Sequence, residues 1–117
     1  MSHKLQNYLR AHRKRAGLSQ DEVAFLLGCQ SGTKVSRYER FNRNPSLETA
    51  FAYEAVFGTP ARELFAGIFQ KVERKTLKRA QLLAQKLSGG KQDRMAMRKL
   101  EALKGVIGGQ IELSKNS

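Results

Sequence analysis

A short segment in the first half of the chain carries side chains that can contact the bases or the phosphates of a nucleic acid. The guanidinium of Arg37 can donate two parallel hydrogen bonds, which suits the O6 and N7 acceptors of guanine. Thr33 and Ser36 precede it at helical spacing, and their small hydroxyl groups can contact base edges or only cap and pack a helix. Arg37 can also bind a phosphate, so the residue types alone leave both roles open.

Residues suited to catalysis or metal binding are scarce. His3 and His12 are the only histidines and Cys29 is the only cysteine, which is too few ligands for a convincing zinc site. Residues 31–34 and 88–91 superficially resemble a phosphate-binding loop but lack its GxxxxGK[ST] spacing. We therefore predict that the chain is not an enzyme and uses no metal and no cofactor.

The charge of the chain indicates a polyanionic partner. Its 117 residues include 22 basic and 10 acidic side chains, a formal net charge of +12. Residues 1–68 carry 10 basic and 6 acidic side chains, and residues 69–117 carry 12 and 4, so the second segment holds +8 of that total. Such a field attracts nucleic acid, anionic membranes or acidic proteins. With no membrane-spanning run, no signal peptide and one cysteine, we expect a cytoplasmic protein without a membrane partner.

The elements that must position these side chains are predicted to be all helical, because apolar residues recur at helical spacing and no alternating run indicates a strand. Capping signals, among them the capping box Ser19-x-x-Glu22, predict helices over residues 4–16, 19–27, 33–40 and 46–57. Thr59-Pro60 begins a long fifth helix that meets no breaker until Ser88, and a sixth follows over residues 92–105. The aromatic residues predicted to lie in the core are Tyr8, Tyr38, Phe51, Tyr53 and Phe57.

Two short helices joined by a tight, glycine-containing turn in a basic chain are the parts of a helix-turn-helix. Four segments then match in order: residues 17–24 (GLSQDEVA), 27–28 (LG), 35–40 (VSRYER) and 43–49 (RNPSLET). As an ordered set they resemble the Cro/C1-type (XRE) helix-turn-helix family, and the resemblance continues to about Phe65.

The resemblance implies an all-α fold, with a five-helix lambda-repressor-like domain over residues 1–67 whose third helix enters the major groove. The long fifth helix and the sixth would form a helical hairpin, so residues 68–117 are expected to be a basic extension for dimerisation or docking. The family also implies a homodimer on paired half-sites of double-stranded DNA, usually as a repressor of transcription.

The same resemblance assigns roles to individual residues. Base contacts are expected from Gly32, Thr33, Ser36 and Arg37. Contacts with the DNA backbone are expected from Gln20, Lys34, Arg40 and Arg43. The family also pairs an arginine at the position of Arg13 with a glutamate at that of Glu39, which implies a partly buried structural ion pair.

The chain departs from the family pattern at several positions. The turn between Gly28 and Val35 is one residue longer than the commonest form. Phe41 stands where the family usually has a helix-ending glycine, so Asn42 is expected to take the left-handed conformation. Phe25 and Leu26 occupy positions that are usually polar, and we expect the C-terminal hairpin, of the same chain or of a second subunit, to cover one of them.

Two other functions remain open. The chain could be an interaction protein, such as the DNA-binding antitoxin of a toxin–antitoxin pair, whose C-terminal segment binds a partner protein. It could also be a basic accessory or RNA-binding protein in which the +8 segment dominates. Co-purification of a small unrelated protein favours the first, and equal affinity for random and selected DNA favours the second.

Overall fold

The computed structural model describes residues 6–116, with side chains for residues 6–108, and every regular element in that range is an α-helix. The all-α class predicted from periodicity is therefore confirmed. Seven helices are described: α1 Leu9–Ala16, α2 Gln20–Leu27, α3 Gly32–Glu39, α4 Leu47–Phe57, α5 Ala61–Leu64, α6 Ala66–Ser88 and α7 Arg94–Asn116. The chain divides into two units, Met1–Gln70 and Lys71–Ser117. Within the described range, no helix combines the length and apolar character needed to cross a membrane.

Local capping sets the ends of α2 and α4, as the sequence predicts. The Ser19 hydroxyl accepts a hydrogen bond from the Glu22 amide at 3.0 Å, and the Glu22 carboxylate accepts one from the Ser19 amide at 2.8 Å. The Ser46 hydroxyl begins α4 by accepting from the Thr49 amide. These bonds satisfy amides of the first turn that have no partner within the helix.

The first helix begins later than predicted, because residues 6–8 are not helical and α1 starts at Leu9. Asn7 is buried, and its side-chain oxygen accepts a hydrogen bond from the Leu9 amide at 3.2 Å. Its amide nitrogen donates to the carbonyl of Tyr38 at 2.9 Å, which binds this segment to the end of α3. Lys4 and Leu5, where the predicted helix began, lie outside the described residues.

The predicted long fifth helix is two helices, α5 and α6, separated by Phe65. The backbone of Phe65 leaves helical geometry at φ −113° and ψ 42°, and its ring is buried edge-on against Tyr53, with ring centroids 6.0 Å apart. Core packing thus interrupts a segment whose local sequence favours one helix. Phe51, predicted to be buried, is instead 57% exposed.

The end of α3 also differs from the expectation. Phe41, not Asn42, adopts the left-handed conformation, with φ +66°. The Phe41 amide donates to the Tyr38 carbonyl and the Asn42 amide donates to the Arg37 carbonyl, the pair of bonds that defines a Schellman motif. Since that motif requires the left-handed residue directly after the C-cap residue, Phe41 must adopt it, at a cost of roughly 1–2 kcal/mol for a residue with a Cβ atom.

The second unit consists of α6 beyond Gln70, the turn after Ser88 and α7. The Gln92 side chain donates to three carbonyls, those of Leu87, Ser88 and Gly90, and so satisfies the end of α6. The Asp93 carboxylate accepts from the amide of Ala96 at 2.8 Å and caps the start of α7. The backbone of α7 continues to Asn116, past Gly105, where the sequence predicts its end.

Tyr53 lies at the centre of the core of the first unit. Eight buried side chains form this core: Leu9, Val23, Ala24, Val35, Tyr38, Tyr53, Leu64 and Phe65. The Tyr53 side chain is 1% exposed, and its hydroxyl is the one buried side-chain polar atom in the described range without a hydrogen-bond partner. Burial, followed by the nearby negative charge of Glu39, raises the pKa of Tyr53 above its ordinary value.

We expect Tyr53→Phe to leave the free energy of unfolding unchanged or to raise it by up to about 1 kcal/mol, because the hydroxyl has no partner to lose. The raised pKa adds a pH dependence. In the parent protein the Tyr53 hydroxyl ionises at a lower pH in the unfolded state than in the folded state. Its contribution to the free energy of unfolding is therefore fully present below pH ~10 and falls by about 1.4 kcal/mol per pH unit above it. Urea denaturation at pH 7 and above pH 10 measures both effects, and a variant less stable than the parent at both pH values would contradict them.

Candidate nucleic-acid interface

Helices α2 and α3, which carry the candidate nucleic-acid interface, meet at Gly32. Its amide donates a hydrogen bond to the Asp21 carboxylate at 2.8 Å. A Cβ atom at this position would lie 2.7 Å from that carboxylate oxygen, closer than real Cβ atoms come, and 3.0 Å from Cβ of Gln20, which is a tight contact. Glycine therefore allows the N-terminus of α3 to approach the N-terminus of α2. Gly32 is buried with its amide already bonded, so it has a packing role here, and its predicted contact with a base stays a prediction.

A shallow polar groove opens beside this contact. Its lining is mostly hydroxyl, amide and charged groups, from Ser19, Gln20, Asp21, Ser31, Gly32, Thr33, Ser36 and Arg40. Thr33, Ser36 and Arg37 lie three and four residues apart and so share one face of α3. Thr33 and Arg37 are exposed and Ser36 is half-buried, whereas Val35 and Tyr38 on the opposite face are buried. The structure thus places three of the residues predicted to contact bases on one face of α3, with Gly32 at the start of the same helix.

The predicted backbone contacts surround that face. Lys34, Arg40 and Arg43 are exposed, while Gln20 is half-buried at the start of α2. No acidic residue lies in the first turn of α3, and within the described residues the only acidic group on this helix is the buried Glu39. The exposed surface of α3 is therefore cationic and polar, as a surface that meets phosphates and base edges must be.

Glu39 accepts hydrogen bonds from two other helices. Its Oε2 lies 2.6 Å from Nε of Arg13, and its Oε1 lies 3.1 Å from Nη2 of the same guanidinium. The amide nitrogen of Gln20 also donates to Oε1, at 3.2 Å. The remaining Arg13 nitrogen, Nη1, donates to the Leu18 carbonyl. We call this set of bonds the Glu39 network.

The Glu39 network is largely shielded from solvent, since the side chains of Arg13 and Glu39 are 12% and 3% exposed. The hydrogen bond with Glu39 raises the pKa of Arg13 against the opposing effect of burial. Because Arg13 lies on α1, Gln20 on α2 and Glu39 on α3, the network joins these three helices. It also fixes the orientation of Gln20 at the edge of the groove.

Two residues of the interface were missed by sequence reasoning. Asp21 lies in a matched segment but has no predicted role in the interface, yet its carboxylate accepts a hydrogen bond from the amide of Gly32. Ser31 was assigned only to the turn, yet it is the N-cap residue of α3 and lines the groove. The preference for serine at N-caps could have identified Ser31, whereas the distant bond of Asp21 has no local signal. The described residues contain no cluster of three or more His, Cys, Asp or Glu able to hold a metal ion.

Comparison with known proteins agrees with this geometry. Residues 9–64 match a family model described as helix-turn-helix, a segment that runs from the start of α1 to the end of α5. No significant match was found among curated proteins or among solved structures.

We expect Arg13 and Glu39 to be energetically coupled by about 1–3 kcal/mol, because removing either partner leaves the other charge buried without compensation. A double-mutant cycle of Arg13→Ala and Glu39→Ala, followed by urea denaturation, measures the coupling. Glu101 and Lys104 form a matched control pair, 3.9 Å apart and about 80% exposed, for which we expect no measurable coupling. Equal coupling in the two cycles would remove the ion pair from this account.

Proposed function

Because residues 9–64 form a DNA-binding helix-turn-helix domain of the Cro/C1-type (XRE) family, we propose that the chain is a sequence-specific transcriptional repressor that acts as a dimer. It would have no enzymatic activity, no metal and no cofactor, and would act in the cytoplasm by occupying its operator. The observation that carries this proposal is the exposed polar and cationic face at the start of α3.

The proposal places α3 in the major groove. An α-helix fits that groove, and the side chains near its N-terminus reach the base edges. Arg37 would donate two hydrogen bonds to a guanine, with Thr33 and Ser36 contacting neighbouring bases. Gly32 would contribute by letting the two helices approach each other.

The remaining contacts would be with the backbone of the DNA. Lys34, Arg40 and Arg43 are exposed cations that can bind phosphates on either side of the exposed face of α3. Gln20 can donate to a phosphate from the start of α2, in the orientation that Glu39 imposes on it. These contacts would orient α3 without distinguishing one sequence from another.

Arg37→Ala tests base reading directly. We expect it to cost about 1–3 kcal/mol of binding free energy on the cognate site and to relax the preference at one base pair. Arg43→Ala removes the same charged group from a position assigned to phosphate, so we expect it to weaken cognate and scrambled sites equally. Titrations of both variants on both duplexes, after selection of the cognate site from random DNA, provide the comparison. If Arg37→Ala loses the same affinity on both duplexes, its assigned role is wrong.

Exposed apolar residues support the proposed dimer. In the second unit, Val72 and Leu83 are 54% and 46% exposed and lie on one face of α6. In the first unit, Phe25 and Leu26 on α2 are 82% and 52% exposed. Large apolar side chains grouped at the surface are typical of sites that a protein partner covers. A second copy of the chain is the proposed partner, and it would set two α3 helices about one DNA turn, ~34 Å, apart.

We expect the full-length chain to sediment as a dimer at tens of micromolar and Val72→Gln/Leu83→Gln to shift it toward monomer. Leu82→Gln/Met97→Gln is a matched control, because these side chains are equally exposed but lie on two different helices. Analytical ultracentrifugation makes the measurement. A monomeric parent, or equal dissociation of both variants, would contradict the dimer.

The same exposed apolar residues favour one alternative, an interaction protein such as a DNA-binding antitoxin whose C-terminal segment binds another protein. Under that alternative the purified chain carries a small unrelated protein in fixed stoichiometry, which Val72→Gln/Leu83→Gln releases.

A further inference from the structure

One face of α6 carries a dense row of positive charge that the helix-turn-helix does not use. Lys71, Arg74, Lys75 and Lys78 are all exposed and lie at helical spacings of three and four residues. At roughly 100° per residue they occupy about a quarter of the helix circumference. We call these four residues the cationic stripe.

No acidic side chain of α6 lies on the same face of the helix as the cationic stripe. Glu73 is the only acidic residue of α6, and it lies roughly 150° around the helix from the centre of the stripe. Leu77, Ala80 and Ala84 also lie on that far side, where Ala80 is buried and the other two are half-buried. The cations of the stripe thus face solvent, while Ala80 on the far side is buried.

The dimensions of the stripe suit a nucleic-acid backbone. Lys71 and Lys78 are separated by about 10 Å along the axis, at a rise of ~1.5 Å per residue. Duplex DNA carries one negative charge per roughly 1.7 Å of its length, so a segment of that length presents about six. The stripe belongs to a segment with a net charge of +8, which adds attraction from a distance.

We propose that the cationic stripe is a second DNA-binding site, which contacts the phosphate backbone of the duplex beyond the site read by α3 and does so without regard to sequence. This inference rests on the proposed function for its choice of ligand. The stripe begins seven residues after the end of the helix-turn-helix domain, so the two are tethered by a short stretch of the same chain. Any duplex held by α3 is therefore present at high local concentration for the stripe.

Duplex DNA is favoured over an anionic membrane as the ligand. A helix that lies in a membrane interface must bury a broad apolar face opposite its charges. In α6 the side chains away from the stripe include Leu77, Ala80 and Ala84, which are already buried or half-buried in the chain. The exposed Val72 and Leu83 form only a narrow apolar strip, which the proposed dimer covers. Phosphates in a duplex need only accessible cations, and these the stripe supplies.

The test replaces three stripe lysines in the full-length chain, as Lys71→Gln/Lys75→Gln/Lys78→Gln. Glutamine removes the charge and has a helix propensity close to that of lysine, so circular dichroism should be unchanged. The control, Lys91→Gln/Lys99→Gln/Lys104→Gln, removes the same charge from exposed positions elsewhere in the second unit. Affinities for cognate duplex, scrambled duplex and phosphatidylserine vesicles are measured across a salt series.

For the stripe variant we expect at least a tenfold loss at 100 mM salt on both duplexes, with the salt slope reduced by about 2–3, near 0.9 for each lost phosphate contact. The control variant should lose less than threefold. The ratio of cognate to scrambled affinity should stay constant, since the stripe reads no bases.

Each other outcome has a distinct meaning. Equal losses of DNA affinity in the two variants, or no loss in either, contradict the second DNA-binding site and leave the proposed function intact. Loss of vesicle binding with DNA affinity retained assigns the stripe to lipid and overturns the proposal. A parent that prefers no sequence, yet weakens in the stripe variant, contradicts the proposed function and supports the stripe. A parent that binds no duplex overturns both.

Discussion

The arrangement of the DNA-binding domain depends on one buried carboxylate. Glu39 accepts two hydrogen bonds from Arg13 and one from Gln20, so residues of α1 and α2 converge on the inner side of α3. Apolar packing between helices sets distances but tolerates sliding, whereas charged groups with fixed donor geometry specify one arrangement. The network therefore holds α3 in one orientation against α1 and α2, which sets the direction in which Thr33 and Arg37 point.

Local physics made much of this fold predictable. The capping box of Ser19, the hydroxyl of Ser46 and the glycines that end α1, α2 and α4 act within a few residues, so spacing alone placed these boundaries within a residue or two. The errors arose where distant residues decide the backbone. Asn7 is held by the carbonyl of Tyr38, thirty-one residues away, and Phe65 leaves its helix to pack on Tyr53. No periodicity within either segment contains that information.

The candidate site also contains features that the sequence predicts and features that depend on distant contacts. The exposed face of Thr33, Ser36 and Arg37 follows from helical spacing once α3 is placed, and the pairing of Arg13 with Glu39 came from family resemblance. The packing role of Gly32 could not be predicted from the sequence, because it depends on the close approach of α2 in the folded chain. Residue type also failed to predict the end of α3. Phe41 takes the left-handed conformation of the Schellman motif, with both of its backbone bonds formed, although a residue with a Cβ atom is unfavourable there.

The two faces of α3 have a consequence for how such a domain can diversify. Val35, Tyr38 and Glu39 bind the helix into the core, while Thr33 and Arg37 project away from it and support no other part of the fold. Exchange of the outward residues therefore costs little folding free energy, since exposed positions free of special contacts tolerate substitution. Under the proposed function, the choice of DNA target and the stability of the fold therefore depend on different residues of a single eight-residue helix, so related domains can acquire new targets without losing stability.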